Sequence, residues 1–206
     1  YWAAGYDNNL PEDVKSLKNA DERKNAAKKT LEDAGYKLNG DFYEKDGQQV
    51  TFAYTMFGDA TTVKNRAAAI QKMCKDAGIN LTLDSHPSSE FSSVLSSGNW
   101  DVCLFGWSGT PTSYNNGVQL YGSESPSNFG HQGTAETDAL FAKVVSTADF
   151  DERMKIMNEA EKKCLATYSY LPVYTGPSCF VCKKGLANYG PALFLDVPST
   201  DIGWQK

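Results

Sequence analysis

The sequence predicts an α/β fold with a mainly parallel central sheet flanked by helices. Three observations carry that prediction. Strand-length apolar runs alternate with helical patterns between residues 50 and 105, the order that builds βαβ units. The run at residues 102–105, ValCysLeuPhe, is continuously apolar, as strands covered on both faces are. Finally, 206 residues with 41% hydrophobic and 22% charged side chains match a globular chain able to bury a core.

The elements follow in order. Residues 19–35 form an amphipathic helix with Asp21 as its N-cap, Ala27, Leu31 and Ala34 at helical spacing, and Gly35 as its stop. The next stretch alternates around Asp46 and Gly47, a hairpin signal pairing Phe42 and Tyr43 with the region that begins at Val50. A strand over 50–57 and a helix over 62–77 come next, the helix carrying Val63, Ala67, Ile70 and Cys74 on one stripe and stopping at Gly78. A second strand spans 79–83, and a short helix around Phe91, Val94 and Leu95 leads to the third strand at Asp101. Residues 108–134 are rich in Gly, Ser, Asn, Pro and Tyr without a period, and loops of that length inside a domain are usually functional. Helices over 136–148 and 151–167 follow, the second capped by Asp151, then short strands at 171–174 and 180–181. The tail from 186 to 206 reads as irregular, so the core falls at about 19–185 with irregular extensions at both ends.

Composition excludes several functions. A net charge of -5 and a pI near 5.1 speak against a nucleic-acid surface, which needs clustered Lys and Arg. The basic patch from Lys24 to Lys29 is diluted by Glu22, Glu32 and Asp33 and reads as a solvated helix face. No stretch is long and apolar enough to span a membrane. The chain opens at Tyr1, as a processed or excised piece would. Five cysteines at irregular spacing form no zinc pattern. In a strand the sulfurs of Cys179 and Cys182 point to opposite faces with Cα atoms roughly 10 Å apart. A bridge from Cys164 to one of them and a set of buried free thiols both remain open.

Catalysis lacks its parts. His86, before Pro87, and His131 are the two histidines, and both read as solvated loop residues. The glycines around Gly106 and Gly109 match neither a dinucleotide fingerprint, a phosphate loop nor a nucleophile elbow. The chain is therefore expected to be no enzyme, with no cofactor and no metal.

What remains is a binding surface at the strand tips. With strand order 2-1-3 the first and third strands are neighbours, so Phe57 and Trp107 converge on one crevice beyond the carboxyl ends, while Ser85 and His86 lie further off. Trp107 walls or stacks on a ligand. Ser108, Gly109 and Thr110 offer hydroxyls and backbone amides, and Tyr114, Tyr121 and Asn128 are candidates for a polar rim.

The order of these signals resembles the C-terminal lobe of the extracytoplasmic solute-binding proteins of peptide and nickel ABC importers. The residues that carry the resemblance are LeuGluAspAlaGlyTyr at 31–36, AlaAlaIleGlnLysMetCysLysAspAlaGlyIle at 68–79, and SerGlyAsnTrpAspValCysLeuPheGlyTrp ending at Trp107. AsnPheGly from Asn128, GluThrAspAlaLeu from Glu136, the AspGluArg helix start at Asp151 and LeuProValTyr at 171–174 complete the series.

The resemblance implies a periplasmic-binding-protein type II-like lobe, one half of a clamshell whose N-terminal lobe lies outside this sequence. Residues 1–206 would then be a single C-terminal lobe contributing Phe57, Trp107, Ser108, Gly109, Thr110, Tyr114 and Asn128 to an interlobe ligand cleft. It further implies an oligopeptide or related small solute, an ABC permease as partner, and an extracytoplasmic place, with membrane anchoring through an absent N-terminal segment. In the peptide-binding branch an Asp shortly after the Trp pairs with the peptide's amino terminus, and here residues 108–112 carry no acid. The alternative is a non-transport, chaperone-like interaction module using the Tyr-rich loop 108–134.

Overall fold

The structure, a computed structural model, describes residues 8–108, 116–174, 180–190 and 197–205. A short helix, α1 (Glu12–Lys15), precedes α2 (Ala20–Asp33). Asn19 caps α2, its side chain accepting the Glu22 amide N–H, while Asp21 stands one residue inside the helix and pairs with Lys24. An acid inside the first turn favours the helix through its positive end, which is why Asp21 resembled the cap in sequence.

The hairpin forms as expected and gains a third strand. β1 (Lys37–Asn39), β2 (Phe42–Lys45) and β3 (Gln48–Gln49) make an antiparallel sheet, with Asp46 and Gly47 at positive φ in the turn. Tyr43 ties this unit to the rest. It is buried, its N–H donates to the Gly78 carbonyl, and its hydroxyl donates to Glu32 at 2.6 Å. Gly78 sits at φ +81°, where a Cβ would lie 2.5 Å from the Tyr43 ring, so this helix stop is fixed by both conformation and space.

The central sheet has β4 (Thr51–Phe57) flanked in parallel by β5 (Asn80–His86) and β6 (Val102–Cys103), in the order β5-β4-β6. That is the expected 2-1-3 arrangement. α3 (Thr61–Asp76) packs Val63, Ala67, Ile70 and Cys74 on Tyr54, Met56 and Leu81, as its stripe requires. A turn of 3-10 helix (Ser88–Glu90) and α4 (Phe91–Ser97) connect β5 to β6. Two expectations change here. The third strand keeps ladder pairing only over Val102–Cys103, so Leu104 and Phe105 leave the sheet before the loop. Nor is the sheet covered across its width: Phe52, Leu83 and Val102 on the α3 side stay 42%, 40% and 41% exposed, because α3 reaches only the middle of that face.

A second layer is helical: α5 (Gly117–Tyr121), α6 (Ala135–Ser146) and α7 (Phe150–Leu165). Leu120, Tyr121, Phe141, Val144, Met154, Met157, Ala160 and Cys164 form its core. α5 falls inside the stretch that reads as aperiodic loop. Its five residues are too short for a period, and packing of Leu120 and Tyr121 holds them. Thr134 caps α6 in a capping box, and Asp149, not Asp151, caps α7 by accepting the Glu152 N–H. Within this core the carboxylate of Glu161 is buried and accepts from Asn9 Nδ2 at 2.7 Å and the Tyr121 hydroxyl at 3.2 Å.

Residues 171–174 and 180–181 are not strands. Leu171, Val173, Tyr174, Phe180 and Val181 are exposed, with no ladder partner among the described residues. The tail is less irregular than its sequence suggests, since β7 (Leu186–Ala187) pairs with β8 (Gly203–Trp204) around a 3-10 turn at Ser199–Asp201. Cys74, Cys103, Cys164 and Cys182 are free thiols, and Cys179 lies outside the described residues. Burial pushes the Cys164 thiol up to about 12 and Cys103 up to about 11, so neither supplies a thiolate near neutrality.

Candidate functional site

The carboxyl ends of the parallel strands carry a continuous aromatic row. Phe57, the last residue of β4, meets the His86 ring at 6.0 Å and Phe91 edge-on at 5.0 Å. Phe91 meets Phe105 at 5.5 Å, Phe105 meets Trp107 at 5.6 Å, and Phe129 closes the row at 5.8 Å from Phe105 and 6.5 Å from Trp107, nearly parallel to the indole. Strand register explains the start, because Phe57 pairs with His86 across β4 and β5. Departure of Phe105 from the ladder explains the rest, since it frees the chain to lay Trp107 against the helical layer.

Trp107 is half-buried and packs against the α5–α7 core, yet its neighbours Gly106 and Ser108 are exposed. It is thus both a packing residue and a rim residue. Its Nε1 is buried without a hydrogen-bond partner. Gly109, Thr110 and Tyr114 lie outside the described residues. Asn128 is buried rather than displayed: its Nδ2 donates to the carbonyls of Tyr121 (3.3 Å) and Gly122 (3.1 Å), pinning the following loop to the end of α5. Tyr121 belongs to the core, not to a polar rim.

His86 is not a solvated loop residue. It ends β5, with Nε2 2.8 Å from Asp84 and Nδ1 3.0 Å from Glu90, and Asp84 also accepts from the buried Thr55 hydroxyl at 3.3 Å. Only an imidazolium can donate from both ring nitrogens, and its hydrogen bonds to Glu90 and Asp84 hold its pKa above the ordinary 6.5. The signal was in the sequence. Asp84 and His86 alternate onto one face of a strand, and Glu90 follows four residues on. Phe91, Phe105 and Phe129 were also missed as rim residues, because each reads as an ordinary core aromatic until the strand tips are brought together.

A concavity of about 720 Å³ lies elsewhere, between α5 and α6, lined by Val118, Gly122, Ser123, Pro126, Asp138 and Phe141 and by none of the strand-tip residues. Of its two acids, Asp138 is occupied, accepting both the backbone N–H (3.0 Å) and hydroxyl (2.5 Å) of Ser123. The aromatic row is the better candidate. It is an open wall that can bury flat apolar surface, bordered by exposed backbone at Gly106 and Ser108. Among the described residues no group of His, Cys, Asp and Glu is arranged to hold a metal ion, and no helix is long and apolar enough to cross a membrane.

The sequence profile of the bacterial extracellular solute-binding proteins, family 5 Middle, matches residues 2–129. The oligopeptide-binding protein OppA of Mycobacterium tuberculosis is 29% identical over 181 residues, 87% of this chain and 30% of that protein, and its Mycobacterium bovis counterpart gives the same figures. The chain thus spans about 30% of the length of these curated relatives. Among solved structures, the oligopeptide-binding protein AppA from Bacillus subtilis, in complex with a nonapeptide, superposes with a TM-score of 0.66 at 22% identity, covering 82% of this chain and 33% of that one. NikA from Brucella suis, in complex with Fe(III)-EDTA, gives 0.59 at 22%, covering 78% and 34%. The shared architecture is the periplasmic-binding-protein type II fold. With the profile spanning more than half its length, the chain belongs to family 5 of the bacterial extracellular solute-binding proteins.

Proposed function

We propose that the strand tips of this chain form one wall of a ligand cleft, closed by a lobe that lies outside the chain, and that the whole protein captures an oligopeptide or related small solute for an ABC importer. The observation that carries this reading is the aromatic row from Phe57 to Trp107 and Phe129, ending on the exposed backbone of Gly106 and Ser108. An aromatic wall left half open becomes dry when a second lobe closes over it, and hinge closure of that kind is the usual trap for small solutes. Gly109, Thr110 and Tyr114 extend the same wall in this proposal, with Ser108 and Thr110 giving hydroxyls and backbone amides. The protein acts outside the cytoplasm, membrane-anchored through a preceding segment, and hands its solute to a permease without chemical change.

The OppA relatives and the AppA complex support a peptide as the solute class. The lack of an acid over residues 108–112 removes the carboxylate expected to meet a peptide's amino terminus, and Asp84 and Glu90 are both engaged by His86. Native mass spectrometry of the two-lobed protein tests the reading directly by weighing what co-purifies with it. Trp107→Leu, which keeps apolar packing against the helices but removes the flat ring, is expected to weaken binding of that solute more than about ten-fold, with melting temperature nearly kept. Unchanged affinity together with a large fall in melting temperature would make Trp107 a packing residue only.

A further inference from the structure

The aromatic row begins beside a charged cluster that ties three elements together. His86 Nε2 lies 2.8 Å from Asp84 and Nδ1 3.0 Å from Glu90, while Asp84 also accepts from the Thr55 hydroxyl at 3.3 Å. Thr55 stands on β4, Asp84 and His86 on β5, and Glu90 at the end of the 3-10 turn, directly before Phe91. From these contacts we infer that His86 is a positioning residue of the aromatic wall: its charged bracket holds the turn at Ser88–Glu90, which seats Phe91 between Phe57 and Phe105. The inference rests on the cleft reading for its use in binding, and adds to it a residue that acts through Phe91 rather than on the solute.

The turn has few other anchors. Glu90 is the N-cap of α4, yet its side chain makes no capping bond and is given to the imidazole instead. The remaining bonds of the turn are local, the Glu90 N–H donating to the Pro87 carbonyl at 3.0 Å and the Ser93 hydroxyl to the Glu90 carbonyl at 2.9 Å. Among the described residues the His86–Glu90 contact is the one side-chain hydrogen bond between the sheet and residues 87–93. Gly58 closes the other side. It sits at φ +81°, its N–H donates to the His86 carbonyl at 2.9 Å, and a Cβ there would fall 2.7 Å from the Ser88 hydroxyl. Phe91 therefore leaves a turn that is pressed on β4 and tied to β5. Its edge-on contacts with Phe57 and Phe105 depend on ring direction, so a shift of the turn passes along the row to Trp107.

Charge decides whether the bracket holds. The acids facing His86 are Asp84 on its own strand and Glu90 from the turn, and β4 presents Phe57 and Gly58, which carry no charge. An imidazolium donates to both carboxylates, whereas a neutral ring has one N–H and must turn a lone pair toward one of them. The tie to the turn then weakens and two like charges are left without the cation between them. Because the hydrogen bonds to Glu90 and Asp84 raise the His86 pKa, this loosening falls above the ordinary 6.5.

The test follows Trp107 in the unliganded two-lobed protein, labelled with fluorotryptophan and read by fluorine NMR, the signal being assigned through Trp107→Phe. Among the described residues the indole shares no ring contact with His86, and the row reaches it through Phe57, Phe91 and Phe105. Its signal is expected to titrate with a midpoint above 6.5 in the wild type and to stay flat in His86→Gln. Phe91→Leu removes the relay ring while leaving His86 and both acids in place, and is expected to abolish the Trp107 titration as well. A wild-type signal that does not titrate overturns the inference. So does one that still titrates in either variant, since Trp107 then answers to something other than the seating of Phe91. Should His86→Gln not fold, Phe91→Leu decides alone. No solute enters the experiment, so the cleft reading stands or falls separately, by what co-purifies with the protein.

Discussion

The two apolar clusters of this chain are packed to different standards. In the helical layer Tyr121, Phe141, Val144, Met157, Ala160 and Cys164 are all essentially buried, whereas the sheet layer has Tyr54, Met56, Ala67 and Leu81 inside and leaves Phe52, Leu83 and Val102 partly open. Yet the sheet supplies the strand tips. The difference separates two packing regimes: the helical layer closes on itself, and the sheet layer leaves apolar side chains partly in solvent. The aromatic row links them, running from Phe57 on β4 to Trp107, which rests on the helices.

The contrast can be broken most sharply by truncating one large side chain in each layer. Phe141→Ala is expected to cost about 3–5 kcal/mol by urea unfolding, whereas Phe52→Ala should cost about 1 kcal/mol because much of its ring is already in water. Equal losses would mean the two layers are packed alike. Next in size is Gly78→Ala, where a left-handed backbone and the Tyr43 ring both resist a Cβ; a loss of about 2 kcal/mol is expected, and a neutral result would show that the hairpin gives way freely. Thr134→Ala removes the capping box of α6 and should cost about 1 kcal/mol, read as a fall in melting temperature.

The smallest effect sharpens the electrostatics at the tips. Because His86 is raised above its ordinary value of 6.5 in the folded chain, its bracket by Asp84 and Glu90 stabilises fully below that value and is lost as pH rises through the folded one. The melting-temperature gap between wild type and His86→Gln should therefore be widest in mild acid and close in alkali. A gap that widened with pH would reverse the assignment of the charged form.

Much of the sheet was legible because period and punctuation agreed. The stripe Val63, Ala67, Ile70, Cys74 and the stop at Gly78 set α3 to within a residue, and the strand order 2-1-3 taken for the sheet is the one that forms. Caps were misread by two residues at Asp21 and Asp151, since an acid favours the first turn as much as the cap itself. α5 was invisible, being held by tertiary packing at Leu120 and Tyr121 rather than by its own pattern. Of the site, Phe57 and Trp107 could be placed from strand ends alone. The His86 bracket could not, because what distinguishes it is which neighbours it meets across the fold.

Asn9 has a practical consequence for anyone trimming this chain from its N-terminal side. It reaches across the fold to the buried Glu161 carboxylate and to Asn158, and Tyr168 just past α7 donates to Asp13. A boundary drawn at α2 would strip a 2.7 Å donor from the buried Glu161 carboxylate. Expression pieces that start downstream of position 9 should aggregate, while those that keep it should stay in solution.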